Sequence, residues 1–387
     1  GYRWPHFSRQ GIPIIEEDKV YLLKKALYGL KQAPRAWYSR IDDHLISLRF
    51  ARSPSEPTLY VKLSNSETLI VSVYVDDLLI TGSNESVINQ FKEEMLQVFQ
   101  MTDLGTMAFF LGMEVKQDPK GIFICQKKYA KEILKKFSME NCKEMSTPMN
   151  QKEKLHREDG AEGADERVYR SIVGCLMYLT TTRLDILQAV SVLSRFLHNP
   201  SEEHLKAAKR VLRYVKGTLG YGVQFESKHE FNFHGFSDSD WAGSLDDMKS
   251  TSGYCFSLGS GMFSWSSKKQ EIVAQSTAEA EFIAAAAAVN QALWLRKLLI
   301  DLNLEQEKST KVFVDNKAAI AISNNSVFHG KTKHFSIKLY YLREVQKKGD
   351  VSLVYCCTND QIADFFTKPL PRNRFEELRK ALGVCSN

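Results

Sequence analysis

The sequence predicts an α/β chain built in modules, and three observations lead to this fold class. Residues 1–145 mix strand patterns with aromatic-rich helices, and two adjacent aspartates interrupt one of the apolar runs. Residues 146–230 begin as a polar segment with glycine and proline and continue as mainly helical sequence. From 231 to 370, strands and helices together predict a mixed sheet flanked by helices, and 371–387 follows as a C-terminal tail.

The length and composition indicate a soluble globular protein. A chain of 387 residues is long enough for two or three domains with cores of their own. A hydrophobic content of 43% and a charged content of 25% exclude the disordered class. The formal net charge of +6 agrees with a polyanionic partner but does not require one.

The seven cysteines are scattered and form no CxxC motif, which favours reduced, intracellular thiols that pack as small hydrophobic groups. A zinc site is the alternative, with ligands His329, His334, Cys356 and Cys357. Their spacing fits no familiar zinc pattern.

We expect no signal peptide, no stretch that spans a membrane and no membrane partner. The most apolar candidate, Phe282–Val289, is only eight residues long and is followed by Asn290 and Gln291. It is predicted to belong to an alanine-rich helix of a soluble domain.

The first module carries Tyr74-Val75-Asp76-Asp77 inside an apolar run. This pattern predicts two short strands folded back on each other, with the acidic pair at the hairpin tip. Adjacent carboxylates in apolar surroundings repel each other and lose hydration, so a bound cation would compensate their charge. Mg²⁺ prefers such oxygen ligands, and two of these ions can hold the attacking and leaving oxygens of phosphoryl transfer. The usual alternative for two adjacent aspartates is a solvated turn.

In the second module, a helix is predicted to begin after an N-cap at Ser201 and to end at Gly217. One face is apolar, and a basic stripe beside it consists of Lys206, Lys209, Arg213 and Lys216. Such a stripe can track a phosphate backbone. A solvated charged face is the alternative, and the helix alone does not decide between them.

Four acidic residues of the third module lie at element ends: Asp238 after a strand, Glu281 in an alanine-rich helix, Asp315 after another strand, and Asp364 in a short helical segment. Each alone is typical of a cap or of a helix-dipole partner. In this order they can converge at one edge of a sheet, where divalent ions would neutralise them. Two Mg²⁺ ions there could activate water and stabilise a departing 3′ oxygen.

Long motifs in order make the resemblance to a known family specific. Leu27–Trp37 (LYGLKQAPRAW), the YVDD segment and Thr102–Gly105 (TDLG) resemble the reverse transcriptase of copia-type LTR retrotransposons. Thr251–Tyr254, Ser264–Gln270, Lys331–His334 and Ala363–Leu370 resemble the ribonuclease H of the same Pol polyproteins. The resemblance extends from about Lys19 to the C-terminus.

The resemblance implies two sets of site residues. In the polymerase part, Asp76 and Asp77 match the metal ligands, and Tyr28 and Gly29 match the region that lines the incoming nucleotide. In the ribonuclease H part, the four matching metal ligands are Asp238, Glu281, Asp315 and Asp364. Asp240 and Glu279 are neighbouring alternatives; Asp238 is preferred because it ends the strand directly, and Glu281 because Phe-Ile-Ala-Ala follows it.

The resemblance further implies two Mg²⁺ per active site, an RNA–DNA hybrid and a template–primer duplex as partners, and residence in cytoplasmic particles and the nucleus. A dimer and a polyprotein context are both left open. The family's polymerase needs a third carboxylate upstream of Leu27, and Glu16, Glu17 and Asp18 do not match it. We therefore expect a truncated reverse transcriptase domain (1–145) that has lost polymerase activity, a linker and helical thumb or connection (146–230), and a ribonuclease H-like domain (231–370).

The expected activity is Mg²⁺-dependent hydrolysis of RNA in RNA–DNA hybrids. The alternative is a non-catalytic nucleic-acid-binding remnant of a decayed element.

Overall fold

The computed structural model describes residues 2–3, 29–64, 67–227, 230–324 and 336–386. The α/β fold class predicted from the sequence is confirmed. The chain divides into two units, which are described separately: unit 1 is Gly1–Met107 with Trp294–Glu305, and unit 2 is Ala108–Leu293 with Gln306–Asn387. The predicted domain boundaries at 145, 230 and 370 remain predictions.

Unit 1 is a sheet covered by helices. Its strands are β1 (Tyr2–Arg3), β2 (Ala51–Arg52), β3 (Leu59–Ser64), β4 (Glu67–Tyr74), β5 (Asp77–Gly82) and β6 (Thr102–Asp103). Its helices are α1 (Ala33–Ser47) and α2 (Glu85–Val98). The strand order is β2-β3-β4-β5-β1-β6. Along β4 the side chains alternate between buried and half-buried, as expected for a strand with one face on a core.

Unit 2 contains two sheets. Its strands are β7 (Phe109–Phe110), β8 (Met113–Asp118), β9 (Gly121–Cys125), β10 (Tyr221–Glu226), β11 (His234–Asp240), β12 (Thr251–Ser257), β13 (Met262–Lys269), β14 (Thr310–Val314), β15 (Val351–Tyr355) and β16 (Val384–Ser386). The helices that begin in unit 2 are α3 (Lys127–Lys136), α4 (Glu166–Leu179), α5 (Leu187–Leu193), α6 (Glu202–Gly217), α7 (Thr277–Asp301), α8 (Lys317–Asn324), α9 (Ser336–Lys348) and α10 (Arg372–Ala381).

The first sheet of unit 2 joins distant parts of the chain, in the order β16-β10-β9-β8-β7. The segment that the sequence suggests as a C-terminal tail forms α10 and β16, and β16 pairs with β10. The polar segment 146–167, predicted as a loop or linker, has no helix or strand up to 165 beyond an isolated bridge between Gly163 and Ser201, but its last two residues already belong to α4. The predicted N-cap at Ser201 is confirmed: its hydroxyl accepts from the backbone N–H of His204, whose Nδ1 accepts from Ser201 N in return.

The second sheet of unit 2 is mixed, in the order β13-β12-β11-β14-β15. Strands β11, β12 and β13 are antiparallel, whereas β14 and β15 run parallel to β11. The parallel neighbours β14 and β15 need a crossover, and the connection between them contains α8 and α9, whereas α7 connects β13 to the non-adjacent strand β14. One buried cluster joins this sheet to the helices before it, because Cys255 of β12 and Met262 of β13 share it with Leu176 and Leu212.

Helix α7 is much longer than the eight apolar residues recognised in the sequence. By length and composition alone it passes the test for a membrane span, with 50% of its most apolar window buried. The core helix of a globular domain passes the same test, and the centre of α7 has this character, since Phe282, Ala285 and Ala288 are fully buried. The predicted alanine-rich helix is present, but the expectation that no stretch is long and apolar enough to span a membrane does not hold by length and composition alone.

A candidate metal-binding carboxylate site

Three of the predicted acids meet at one edge of the mixed sheet of unit 2. One carboxylate oxygen each from Asp238, Glu281 and Asp315 lies within 4.8 Å of the others. The register explains why: Phe236 of β11 is opposite Phe313 of the parallel strand β14, so the residues two positions later in each strand direction lie side by side. Asp238 is 2% exposed and Glu281 6% exposed, so both carboxyl groups are removed from bulk water.

Helix α7 brings Glu281 to the strand ends. Ser276 caps the helix by accepting from Glu279 N at 3.3 Å, as one of the two predicted caps. Glu281 Oε1 then accepts from the backbone N–H of Ser239 at 3.2 Å. Its Oε2 is buried and has no hydrogen-bond partner within the part of the chain that the structure describes. A buried carboxylate oxygen without a donor is the kind of atom that a cation would satisfy.

Asp364 lies beside this group. It sits in a 3₁₀ helix, Ile362–Phe366, and is 5% exposed. The buried side chain of Gln361 fixes that helix to β11, because its Nε2 donates to Ser237 O at 2.9 Å and its Oε1 accepts from Ala363 N at 3.2 Å. Burial raises the pKa of Asp364 to about 6, and the neighbouring carboxylate of Asp238 adds to this rise.

Among these carboxyl groups, burial and the neighbouring negative charges act strongly on the pKa of Glu281. Burial raises the pKa of Glu281 to about 10, with further contributions from the negative charges of Asp238 and Asp315. The group of carboxylates therefore holds a proton at neutral pH unless a positive charge replaces it. Hard carboxylate oxygens in this number and proximity fit Mg²⁺. The donor set present is thus chemically suited to a divalent ion.

Two donors from one short segment already contact the acids. The hydroxyl of Thr367 donates to Asp238 Oδ2. The ammonium of Lys368 lies 2.6 Å from Asp364 Oδ1. Burial lowers the pKa of Lys368, but the carboxylates of Asp238, Asp364 and Asp315 outweigh it, and the net pKa lies above the ordinary value.

Gln270 is a residue that the sequence reasoning did not single out, although it ends one of the family motifs. Its buried Nε2 lies 3.0 Å from Ser252 Oγ, 3.0 Å from Ala280 O and 3.2 Å from Ser239 Oγ. It therefore links β12, α7 and β11 directly behind Glu281. A glutamine at the end of a strand is the signal in the sequence, but its three partners come from distant segments.

The two neighbouring acids considered as alternatives have other partners. A carboxylate oxygen of Asp240 accepts from the backbone N–H of Thr251, where β12 begins. Glu279 Oε2 accepts from Gln275 N at 3.0 Å, in the turn before α7. Neither joins the group formed by Asp238, Glu281 and Asp315.

In unit 1, the predicted hairpin is confirmed. Tyr74 pairs with Asp77, so Val75 and Asp76 form a two-residue turn between β4 and β5. Val75 has φ 52°, in the left-handed region, and its carbonyl accepts from the indole N–H of Trp37 at 2.6 Å.

Asp76 and Asp77 are half-buried at this tip, and no third metal-ligating side chain joins them among the described residues. Tyr28 lies outside the described residues, as do His329 and His334 of the alternative zinc site. Gly29 is an exposed turn residue with φ 89°.

The basic stripe of α6 has the predicted orientation, with its apolar neighbours buried. Lys206 and Lys209 are exposed, whereas Arg213 and Lys216 are half-buried. Lys206 lies 3.4 Å from Glu203, and Arg213 Nε donates to the carbonyl of Lys143 at 2.6 Å. Helix α3 contacts α6 and adds exposed lysines that the sequence reasoning missed: Lys127, Lys128, Lys131, Lys135 and Lys136.

Comparisons with known proteins show to which family the chain is similar. A family model described as reverse transcriptase (RNA-dependent DNA polymerase) matches residues 8–151. The chain is 39% identical over 373 residues to the retrovirus-related Pol polyprotein from transposon RE1 of Arabidopsis thaliana, covering 96% of this chain and 25% of that relative. It is 32% identical over 275 residues to a putative transposon Ty5-1 protein of Saccharomyces cerevisiae, covering 70% of this chain and 89% of that relative.

The chain spans about a quarter of the length of the Pol polyproteins from transposons RE1 and RE2 that it matches. Among solved structures, the foamy viral protease-reverse transcriptase in complex with an RNA/DNA hybrid is similar, with a TM-score of 0.48 and 12% sequence identity. The match covers 86% of this chain and 39% of that chain.

Proposed function

Because the chain belongs to the Pol polyproteins of copia-type LTR retrotransposons, we propose that unit 2 hydrolyses the RNA strand of RNA–DNA hybrids in a Mg²⁺-dependent reaction. The observation that carries the proposal is the meeting of Asp238, Glu281 and Asp315 within 4.8 Å, with Asp364 beside Asp238. Such a group of buried acids is costly without a cation and is suited to holding one.

The proposed ligands are Asp238, Glu281, Asp315 and Asp364. Divalent ions bound by them would supply an activated water and neutralise the charge that develops on the departing 3′ oxygen. The chain's own part is to hold the ligands in place. The N–H of Ser239 fixes one oxygen of Glu281, and Gln361 anchors the 3₁₀ helix of Asp364 to β11. Strands β11 and β14 align Asp238 with Asp315: Asp315 follows the end of β14, whereas Asp238 lies inside β11, which ends at Asp240 and not at Asp238 as the sequence predicted.

The proposed substrate is a hybrid duplex, recognised by its shape and by its 2′-hydroxyl groups. The exposed lysines of α3 and α6 support this, because clustered cations on adjacent helices attract a phosphate backbone. For unit 1 we propose ancestry in a polymerase palm, with Asp76 and Asp77 as its metal-binding pair. The hairpin tip alone does not complete a two-ion site.

The test is cleavage of a labelled RNA–DNA hybrid by the full 387-residue chain, with wild type beside Asp315→Asn and Glu271→Gln. Asp315→Asn removes one charge from the site while keeping its shape, so we expect cleavage to fall by roughly a hundredfold or more and hybrid binding to persist. Glu271 is an exposed acid of the same unit, and Glu271→Gln should cleave like wild type. Ca²⁺ in place of Mg²⁺ should permit binding and block turnover, since its looser coordination fits the transition state poorly.

Equal residual cleavage in wild type and Asp315→Asn would contradict the proposal. If the hybrid is bound but not cut by wild type in Mg²⁺, the alternative of a nucleic-acid-binding remnant is supported instead.

A further inference from the structure

Lys368 is a cation placed directly against the proposed metal ligands. Its Nζ lies 2.6 Å from Asp364 Oδ1, one helical turn away in sequence. The carboxylate is 7% exposed, whereas the lysine side chain is 43% exposed. The ammonium therefore reaches the site from the solvent side, on a flexible four-carbon stem.

The neighbouring residue contacts the other side of the same site. Thr367 donates its hydroxyl to Asp238, so two consecutive residues contact two of the acids, one by a hydrogen bond and one by an ion pair. The carbonyl of Asp364 accepts from the same hydroxyl at 3.2 Å, which holds the segment close to the site. These donors provide part of the positive charge and hydrogen bonding that a bound metal ion would otherwise supply.

A divalent ion can readily replace Lys368 as the partner of Asp364. The ammonium of the half-exposed lysine recovers hydration when the pair separates, whereas the buried carboxylate of Asp364 then needs another cation. A divalent ion carries twice the charge of an ammonium and can bind several carboxylates at once. Withdrawal of Lys368 into water requires only rotation of its own side chain, whereas the acids are fixed on β11, α7 and β14.

We propose that Lys368 is a resident counter-ion that occupies the Asp364 side of the carboxylate site in the metal-free protein and is displaced when a divalent ion binds. The inference rests on the proposed function, since it takes the carboxylates as metal ligands. Lys368 then has two opposite effects. It stabilises the fold without metal, and it weakens metal binding by competing for Asp364.

The first test is calorimetric titration of the full chain with Mn²⁺ alone, without nucleic acid. We expect Lys368→Met to bind Mn²⁺ roughly tenfold more tightly than wild type, because one nearby positive charge in a partly hydrated site has been removed. Lys368→Arg keeps the charge and should stay within about threefold of wild type. Lys348→Met is the matched control: it removes the lysine of an i,i+4 pair with Glu344 in the same unit, at 2.8 Å, and should leave Mn²⁺ affinity unchanged.

The second test is thermal unfolding with and without metal. In EDTA, Lys368→Met should unfold about 2–4 °C below wild type, as expected for the loss of a stabilising charge from a domain of this size. In excess Mn²⁺ the difference should vanish or reverse, because the lysine is already displaced in wild type. A purely structural role would lower the unfolding temperature equally in both conditions.

A double-mutant cycle tests whether Lys368 and the metal ion compete for Asp364. In an Asp364→Asn background, Lys368→Met should change Mn²⁺ affinity by no more than about twofold, since the shared ligand is gone. Unchanged or weaker Mn²⁺ binding by Lys368→Met, while Asp315→Asn still abolishes binding, would overturn the role of Lys368 alone. Absence of Mn²⁺ binding in wild type and all variants would instead overturn the metal site and the proposed function with it.

Discussion

Raising the pH should destabilise the metal-free protein through Glu281, and Glu281→Gln should remove much of that sensitivity. Burial and the charges of Asp238 and Asp315 raise the pKa of Glu281 from 4.5 to about 10. Between these two values the folded chain holds a proton that the unfolded chain has released. The stability linked to this proton is complete below the unfolded pKa and is lost as the pH rises through the folded pKa.

The expected loss of stability with rising pH follows from the one proton that the folded chain binds and the unfolded chain does not. A difference of one bound proton changes the free energy of unfolding by about 1.4 kcal/mol per pH unit. From pH 7 to pH 9 the wild type should therefore lose about 2.7 kcal/mol relative to Glu281→Gln. Asp364, with a pKa of about 6, contributes mainly below this window. The proton belongs to the coupled carboxylates as a group, so the slope is predicted for the cluster as a whole.

The assay is urea denaturation of the full chain in EDTA at pH 7, 8 and 9, comparing wild type, Glu281→Gln and Glu271→Gln. Groups that titrate in all three proteins cancel in the difference, and the exposed control Glu271→Gln should keep the wild-type slope. Saturating Mg²⁺ should flatten the wild-type slope, because the ion replaces the proton and stabilises the folded state. Parallel slopes for wild type and Glu281→Gln in EDTA would refute the reasoning.

Two further predictions concern Gln270 and the basic surface. Gln270→Met should lower the free energy of unfolding by about 1–3 kcal/mol in urea denaturation, because it leaves buried acceptors on β11, β12 and α7 without a donor. The exposed control is Gln90→Met, and a decrease no larger than that of this control would contradict the prediction. Lys206→Glu with Lys209→Glu should weaken duplex binding and reduce the slope of log affinity against log salt by about 0.9 for each phosphate that is no longer neutralised. The control is Lys347→Glu, an exposed change away from α6. An unchanged salt slope in the variant with Lys206→Glu and Lys209→Glu would show that α6 presents only a solvated charged face.

The features set by short stretches of sequence could be predicted. The hairpin at Asp76 and Asp77 follows from two apolar strands with a polar turn, and the structure has it. The strand before Asp315 and the capped helix α6 have equally local signals, in alternation and in the N-cap at Ser201. The geometric meeting of Asp238, Glu281 and Asp315 was inferred from the order of elements, and the structure brings them together. Their chemical role remains a proposal.

The features that depend on distant partners could not be predicted from local patterns. Gln270 acquires its partners on β11, β12 and α7 only when these segments fold together. Lys368 pairs locally with Asp364, but Asp238 and Asp315 come near it only in the folded chain. The same holds for β16, a short strand that pairs with β10 from a distant part of the chain. The lysines of α3 were missed for a different reason: a run rich in lysine is typical of any exposed helix, and only its packing against α6 sets it beside a second basic face.

The pairing of β16 with β10 has a consequence for how this chain is made. Strand β10 can pair with β9 as soon as both have been synthesised. Its other edge has no partner strand until Val384–Ser386 has been translated. An unpaired strand edge is a site where other chains can add. Premature termination after Leu370 would leave that edge open and remove Leu378 and Leu382 from the core they share with Phe365. Ribosomes that stall or stop late on this message should therefore release an aggregation-prone product, even though every proposed metal ligand would already be in place.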